Sequence, residues 1–249
     1  MQLDFKGKTI LVSGGTRGIG KQIANDLCKL GAFVIVTGTK ELEIEKLNRE
    51  LLKEGINKKY FFLDFLNINS VNQFLKELEN FERIDGLVNN AGINRLNSVQ
   101  SANKLDWDDM LNVNLSSPFQ LINAISPKMI NHGYGRIVNI ASIFGVISKE
   151  KRVIYSATKF GLHGLTVGSS NDLARFNILV NTVSPGFVLT DLTRKNLSQS
   201  EMEQLSEQVP IKRMAETSDI SNVVVFLLSE LNQYLTGQNI IVDGGFTNV

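Results

Sequence analysis

An α/β domain built on a parallel, doubly wound sheet is the fold this sequence predicts, and three observations carry the prediction. The apolar run Thr9-Ile10-Leu11-Val12 leads into Ser13-Gly14-Gly15-Thr16-Arg17-Gly18-Ile19-Gly20, and Ile19, Ile23, Leu27 and Leu30 then follow at helical spacing. Short apolar runs go on alternating with amphipathic helical stretches to the end of the chain, the pattern of a parallel sheet covered by helices. The 249 residues contain only 4 Pro and no Gly/Ser tract, repeat or low-complexity block, so 1–249 reads as one domain.

Composition narrows the function classes. With 43% hydrophobic residues the chain can bury a sizeable core. The formal net charge is +1 and basic and acidic residues are interspersed, so no basic stripe points to nucleic acid. The longest purely apolar run, 223–228, is too short to cross a bilayer, and the first eight residues lack the apolar core of a signal peptide. The single Cys28 has no intrachain partner and lies in an apolar helical pattern, which places it in the core and fits a reducing compartment. The expected location is the cytoplasm, with no nucleic-acid or membrane partner and no metal.

Each element has its own signal. The first strand, glycine turn and helix form a phosphate-binding half-unit: the glycines let backbone approach a phosphate, and the helix N-terminus supplies free N–H groups. A second strand over 33–36 is followed by Thr37-Gly38-Thr39-Lys40, with no carboxylate before Glu41. An acidic residue there would take ribose hydroxyls. Its absence, with Arg17 in the glycine turn and Lys40 beyond the strand, favours NADP over NAD.

A charged helix over 41–54 precedes a third strand over 60–63 that closes on Asp64. Ser70-x-x-Gln73 reads as a capping box opening a helix to about 81. Gly86-Leu87-Val88 then leads into Asn89-Asn90-Ala91-Gly92, at the sheet edge where ligands of such folds bind. The stretch 104–131 is helical in pattern, with bends expected near Pro118 and Pro127, and Asn114 inside it has poor helix propensity. A fifth strand over 136–140 ends at Ala141-Ser142, a helix over 153–176 follows, and a sixth strand spans 178–183. The polar stretch 189–208 lacks a strong core face, and 189–212 is expected to form a substrate lid. An apolar helix over 217–229 and a last strand and turn over 238–245 complete the chain.

The chemistry-bearing pair is Tyr155-Ser156-Ala157-Thr158-Lys159, which puts the phenol and the ammonium on one face of a helix. A free phenol titrates at about 10, and a neighbouring cation lowers that value, which would make Tyr155 a general acid or base.

Together, Ser13 to Gly20, Asn89-Asn90-Ala91-Gly92, Asn114, Ser142, Tyr155-x-x-x-Lys159, Pro185-Gly186 and Val242-Asp243-Gly244-Gly245 resemble the short-chain dehydrogenases/reductases over essentially the whole chain. The resemblance implies a Rossmann-like sheet in strand order 3-2-1-4-5-6-7 and a homotetramer or homodimer. It implies catalysis by Asn114, Ser142, Tyr155 and Lys159. Tyr155 would be the acid/base, Lys159 would lower its pKa and hold the nicotinamide ribose, Ser142 would polarise the substrate oxygen, and Asn114 would position a water. Cofactor contacts are expected from Gly14, Thr16, Arg17, Gly18, Ile19 and Gly20, from Thr39 and Lys40, and from Asp64 and Phe65 near the adenine. Asn90, Ala91 and Gly92 would follow on the adenosine side, then Tyr155 and Lys159, and Pro185, Gly186, Val188 and Thr190 by the carboxamide.

Among NADP-using members the chain most resembles bacterial 3-oxoacyl-acyl-carrier-protein reductases, around Ser184-Pro185-Gly186-Phe187 and Thr190-Asp191-Leu192-Thr193. Gly133 and Phe176 depart from that likeness, since basic residues are expected there at the entrance. Phe144, Phe187 and Leu192 are expected to wall an apolar pocket. The expected reaction is NADP(H)-dependent hydride transfer to or from a carbonyl or secondary alcohol, with a 3-oxoacyl thioester, a sugar or a polyol as substrate. A non-catalytic NADP sensor on the same fold is the alternative from another class.

Overall fold

The computed structural model describes residues 3–54 and 56–249, apart from the side chains of residues 52–54, 192 and 196. The elements run β1 (Thr9–Val12), α1 (Gly18–Lys29), β2 (Phe33–Gly38), α2 (Glu41–Glu54), β3 (Lys58–Phe62), α3 (Ile68–Glu79) and β4 (Gly86–Asn89). There follow α4 (Lys104–Leu111), a π-helical turn (Asn112–Ser116), α5 (Ser117–His132), β5 (Gly135–Ile140), a 3-10 turn (Ile143–Gly145), α6 (Val153–Leu173) and β6 (Ile178–Pro185). The chain ends with β7 (Val188–Leu189), α7 (Asp191–Asn196), α8 (Gln199–Gln208), β8 (Ala215–Glu216), α9 (Thr217–Leu228) and β9 (Asn239–Val242).

Seven strands pair in parallel in the order β3-β2-β1-β4-β5-β6-β9. This is the expected topology, β9 being the seventh strand of the sheet. The two-residue strands β7 and β8 pair separately.

Strands covered on both faces need continuous apolar runs, and their side chains alternate between two cores. Ile10 and Val12 of β1, with Val34 and Val36 of β2, face a cluster closed by Ile23 and Leu27 of α1 and Val224 and Leu228 of α9. Leu11 and Ile35 point the other way, toward Phe74 of α3, Leu121 and Ile125 of α5 and Leu173 of α6. Cys28 belongs at the margin of the first cluster rather than in its interior. It is half-buried, and its thiol donates to the Asn57 carbonyl at 3.4 Å.

Two helical expectations are corrected. α3 starts earlier than the Ser70 capping box implied: Asn67 is the N-cap, its side chain accepting from the backbone N–H groups of Asn69 and Ser70. Ser70 is buried within the helix, and its Oγ accepts from Asp64 N–H at 2.9 Å. The predicted helix over 104–131 is divided at the π turn rather than at a proline. Pro118 sits in the first turn of α5, where a missing N–H costs nothing, and Pro127 is accommodated inside that helix.

Among the described residues no helix is long and apolar enough to cross a membrane.

Candidate active site

At the carboxyl ends of β1, β2 and β4 the chain leaves an elongated cleft of about 460 Å³. The glycine turn forms one wall. Gly14 has φ +64°, and a Cβ there would lie 2.9 Å from Ala91 Cα, so only glycine lets this turn meet the loop after β4. Three polar side chains fix the turn. Asn90 Nδ2 donates to the carbonyls of Ser13 and Gly14 at 3.0 and 2.9 Å, and Ser13 Oγ accepts from the N–H groups of Asn90 and Ala91. Thr37 Oγ1 accepts from Gly14 N–H at 3.2 Å.

The expected cofactor residues divide into two groups. Gly14, Thr16, Arg17, Gly18 and Ile19 line the cleft from the turn, and Thr39, Asp64 and Phe65 line it from the ends of β2 and β3. Asn90, Ala91, Gly92 and Thr190 line it from the loops after β4 and β7. Thr190 also caps α7 through Thr193 N–H, and a Cβ on Gly18 would lie 3.5 Å from its methyl, so the base of the 189–212 segment rests on the glycine turn.

Gly20, Lys40, Pro185, Gly186 and Val188 do not line the cleft, nor do Tyr155 and Lys159. Gly20 is buried against Asn90, and Lys40 is exposed with its ammonium 3.9 Å from Glu43. Gly186 ties β6 to β9 by donating to the Val242 carbonyl at 2.9 Å, and the Val188 carbonyl accepts from Thr193 Oγ1 at 2.8 Å. Sequence reasoning missed Thr37, Gly38, Leu63, Leu66, Ile93, Val113 and Asp191, which also line the cleft. Thr37 and Leu63, at the ends of predicted strands, were the signals available.

The cleft runs toward the Tyr155/Lys159 helix. Asn114 is fully buried in the π turn, and its amide bridges two elements. Its Oδ1 accepts from Ile93 N–H at 2.9 Å, while Nδ2 donates to the Ile93 carbonyl at 2.9 Å and to Thr158 Oγ1 at 3.1 Å. These three bonds, each contributing about 1 kcal/mol, offset the poor helix propensity of Asn. They also hold the loop after β4 against α6. A Cβ on Gly92 would lie 3.4 Å from Asn114 Oδ1 and 3.6 Å from Lys159 Nζ, which locates both groups at that loop.

Lys159 is 3% exposed and donates from Nζ to the Ile140 carbonyl at 2.9 Å. Burial pulls its pKa down to about 8. Tyr155 departs from the sequence expectation. Its phenol is pushed up by burial, with a hydrogen bond from Ser142 and the charge of Arg152 working against that rise. The Lys159 ammonium lies 5.7 Å from the Tyr155 ring centroid and is engaged with a backbone carbonyl, so desolvation dominates the phenol. Ser142 ends β5 and caps the 3-10 turn, its Oγ accepting from Phe144 N–H at 3.2 Å.

Neither Phe144 nor Phe187, expected to wall an apolar pocket, lines the cleft. The Phe187 ring meets Phe246 edge-on with centroids 5.0 Å apart, and the Leu192 side chain lies outside the described residues. Phe144 is buried and has two cations over its ring, Lys149 at 5.9 Å and Arg152 at 5.2 Å. At the two departure positions, Gly133 caps α5 in a left-handed conformation, and the Phe176 ring is 4.7 Å from the Arg175 guanidinium.

A glycine cradle lining a cleft, with an ammonium beside its Gly92 wall and a phenol and hydroxyl hydrogen-bonded to each other nearby, fits a nicotinamide dinucleotide enzyme. The family described as enoyl-(acyl carrier protein) reductase matches residues 14–247. A 3-oxoacyl-[acyl-carrier-protein] reductase of Aquifex aeolicus (strain VF5) is 40% identical over 98% of this chain and 99% of its own. The chain is a short-chain dehydrogenase/reductase. A relative of the same description from Staphylococcus epidermidis is 37% identical over 96% of this chain and 98% of its own. The crystal structure of a gluconate 5-dehydrogenase from Burkholderia cenocepacia J2315 in complex with NADP and tartrate superimposes with a TM-score of 0.91. It is 30% identical and covers 99% of this chain and 97% of its own. As a member of this family the protein is an oxidoreductase that uses a nicotinamide cofactor to transfer hydride to or from a carbonyl or alcohol.

Proposed function

We propose that the protein is an NADP(H)-preferring reductase of small carbonyl compounds, 3-oxoacyl thioesters among them, with Tyr155, Ser142, Lys159 and Asn114 as its catalytic group. The observation that carries this reading is the meeting of Asn114 and Lys159 at Gly92, beside the phenol that Ser142 faces. When bound, the nicotinamide supplies or accepts the hydride. The chain's own groups handle the charge that develops on the substrate oxygen. Ser142 donates a hydrogen bond to that oxygen, and Tyr155 gives it a proton. Lys159 holds the ribose and leads the proton toward the Asn114 side of the cleft.

Arg17, in the cleft and exposed, favours the 2′-phosphate of NADP, and Thr39 rather than a carboxylate stands at the end of β2. The 189–212 segment acts as the lid of the single domain, since α8 buries no residue of its own. Phe119, Phe160 and Val167 are exposed on α5 and α6, which suits a homodimer or homotetramer packed through those helices. The substrate is a small molecule. The names of relatives point both to acyl-carrier substrates and to a sugar acid, and the acyl reductase is the more similar in sequence, at 40% identity against 30%.

Tyr155→Phe tests the core of this reading. It should keep NADPH affinity and lose turnover of acetoacetyl-N-acetylcysteamine by about a thousandfold, within the range that positioned acid/base groups contribute. A variant that retains near wild-type turnover of any confirmed substrate would sink the assignment.

A further inference from the structure

We propose that Arg152 recognises the substrate, and that the carbonyl or alcohol acted on carries a carboxylate close to its reacting carbon. This rests on the Tyr155-centred reading above and narrows its substrates to small oxo or hydroxy acids in preference to 3-oxoacyl thioesters.

Arg152 immediately precedes α6, and its backbone is fixed on two sides. It bridges to Asn97, and its carbonyl accepts from Ser156 N–H at 2.7 Å. The guanidinium carbon lies 5.2 Å from the Phe144 ring centroid. Phe144 is in turn tied to Ser142, whose Oγ accepts its N–H. Lys149 stands 5.9 Å from the same ring. One aromatic ring, two residues from Ser142, therefore has two cations over it, and the Arg152 charge reaches the Tyr155 phenol.

What sets Arg152 apart is a buried donor with no partner. Its Nε is buried without any hydrogen bond. Several other arginines are satisfied. Arg95 pairs with Asp106 and Asp109, Arg213 with Asp219, and the buried Arg136 donates to the carbonyls of Gly135, Asn177 and Asn232. A guanidinium N–H shielded from water and left unbonded is costly, and a protein retains one where a partner arrives from outside. The planar donor edge of Arg matches a planar carboxylate through two parallel N–H···O bonds. Lys149, a point charge on the same ring, adds attraction without fixing geometry. The carboxylate would then sit beside Ser142 and Tyr155, within the reach of a small oxo or hydroxy acid.

Calorimetric titration of malonate, malonamide and inorganic phosphate into the full-length protein saturated with NADP+ tests this without turnover. Malonate should bind at least tenfold more tightly than malonamide, and Arg152→Gln should remove that difference. Arg152→Lys, which keeps the charge but not the fork, should retain part of it, and both variants should keep the wild-type NADP+ affinity and unfolding midpoint. Equal binding of malonate and malonamide overturns the proposal, as does a malonate preference that survives Arg152→Gln. Phosphate binding more tightly than malonate overturns the carboxylate assignment. Because no proton or hydride moves in this experiment, its failure leaves the Tyr155→Phe result standing, and an active Tyr155→Phe leaves the malonate result standing.

Discussion

Gly145 rests directly on the backbone of Lys159: a Cβ built on Gly145 would lie 2.9 Å from the Lys159 carbonyl oxygen and 3.0 Å from its carbonyl carbon. The 3-10 turn that begins beside Ser142 is thus pressed against the helix that carries Tyr155 and Lys159. No side chain fits between them, and the contact sets how far the Ser142 hydroxyl stands from the phenol.

Gly145→Ala should therefore separate the two halves of the catalytic group. The methyl meets backbone, which cannot rotate away, so the turn must shift by several tenths of an ångström. Overpacking of this kind costs about 1–3 kcal/mol. The expected result is a lowered urea midpoint and at least a tenfold fall in kcat, with NADPH affinity little changed, since the glycine cradle is remote. Wild-type kcat would show that the spacing between turn and helix has slack.

Cofactor choice is decided at Arg17. NADPH should bind at least tenfold more tightly than NADH, a difference of about 1.4 kcal/mol. Arg17→Ala should erase most of it, and added salt should narrow it, because the side chain is exposed. Lys40→Ala should matter less, as Lys40 does not line the cleft. Fluorescence titration of both cofactors decides between this outcome and equal affinities, which would mark Arg17 as a solvated cation.

Direction and pH are linked through the phenol. Burial holds Tyr155 above its ordinary value of 10.0, so at neutral pH it carries its proton. Reduction, which uses that proton, should keep a flat profile through the neutral range. Alcohol oxidation, which needs the phenolate, should rise by about tenfold per pH unit over the same range. Ser142→Ala removes a hydrogen bond that lowers the phenol and should move any alkaline break upward. An oxidation profile that levels off near pH 7 would show the phenol to be lowered instead.

Lys159 makes a stability prediction for the cofactor-free protein. Its folded pKa of about 8 lies below the ordinary 10.5. Below about pH 8 the ammonium is charged in folded and unfolded chains alike, and its burial penalty is fully present. Between about 8 and 10.5 the folded state gives up its proton first, so stability rises with pH. The stability gap between wild type and Lys159→Met should close across that window by up to about 3 kcal/mol. A gap that stays constant from pH 7 to 10.5, measured by urea unfolding, would show that the ammonium is not penalised.

The sheet was readable because strands buried on both faces are built on apolar runs, and Ile10-Leu11-Val12, Phe33-Val34-Ile35-Val36 and Ile178-Leu179-Val180 are such runs. The glycine turn and the Tyr155/Lys159 helix were readable for a similar reason: backbone approach and shared helix faces leave fixed spacings. What stayed hidden depends on contacts between distant segments. The Asn67 cap was masked by Ser70, whose hydroxyl serves Asp64 instead. The 5.7 Å separation of Lys159 from the Tyr155 ring is a matter of rotamers and of the Ile140 carbonyl, neither of which leaves a periodic mark. Arg152 carries no mark of its own in the run Lys149-Glu150-Lys151-Arg152, and only the folding of that loop over Phe144 distinguishes it.

The π turn at Asn112–Ser116 makes the site sensitive to residue count as well as residue identity. A wide turn of this kind holds one residue more than a regular α-helical turn. Excising a single residue there would let α4 run straight into α5, but everything on one side of the cut would swing by about 100° around the helix axis. Asn114 would leave Ile93 and Thr158, and the loop after β4 would lose its clasp on α6. Length variation between relatives should therefore collect in surface connections such as 146–151 and spare this segment, even where its side chains differ.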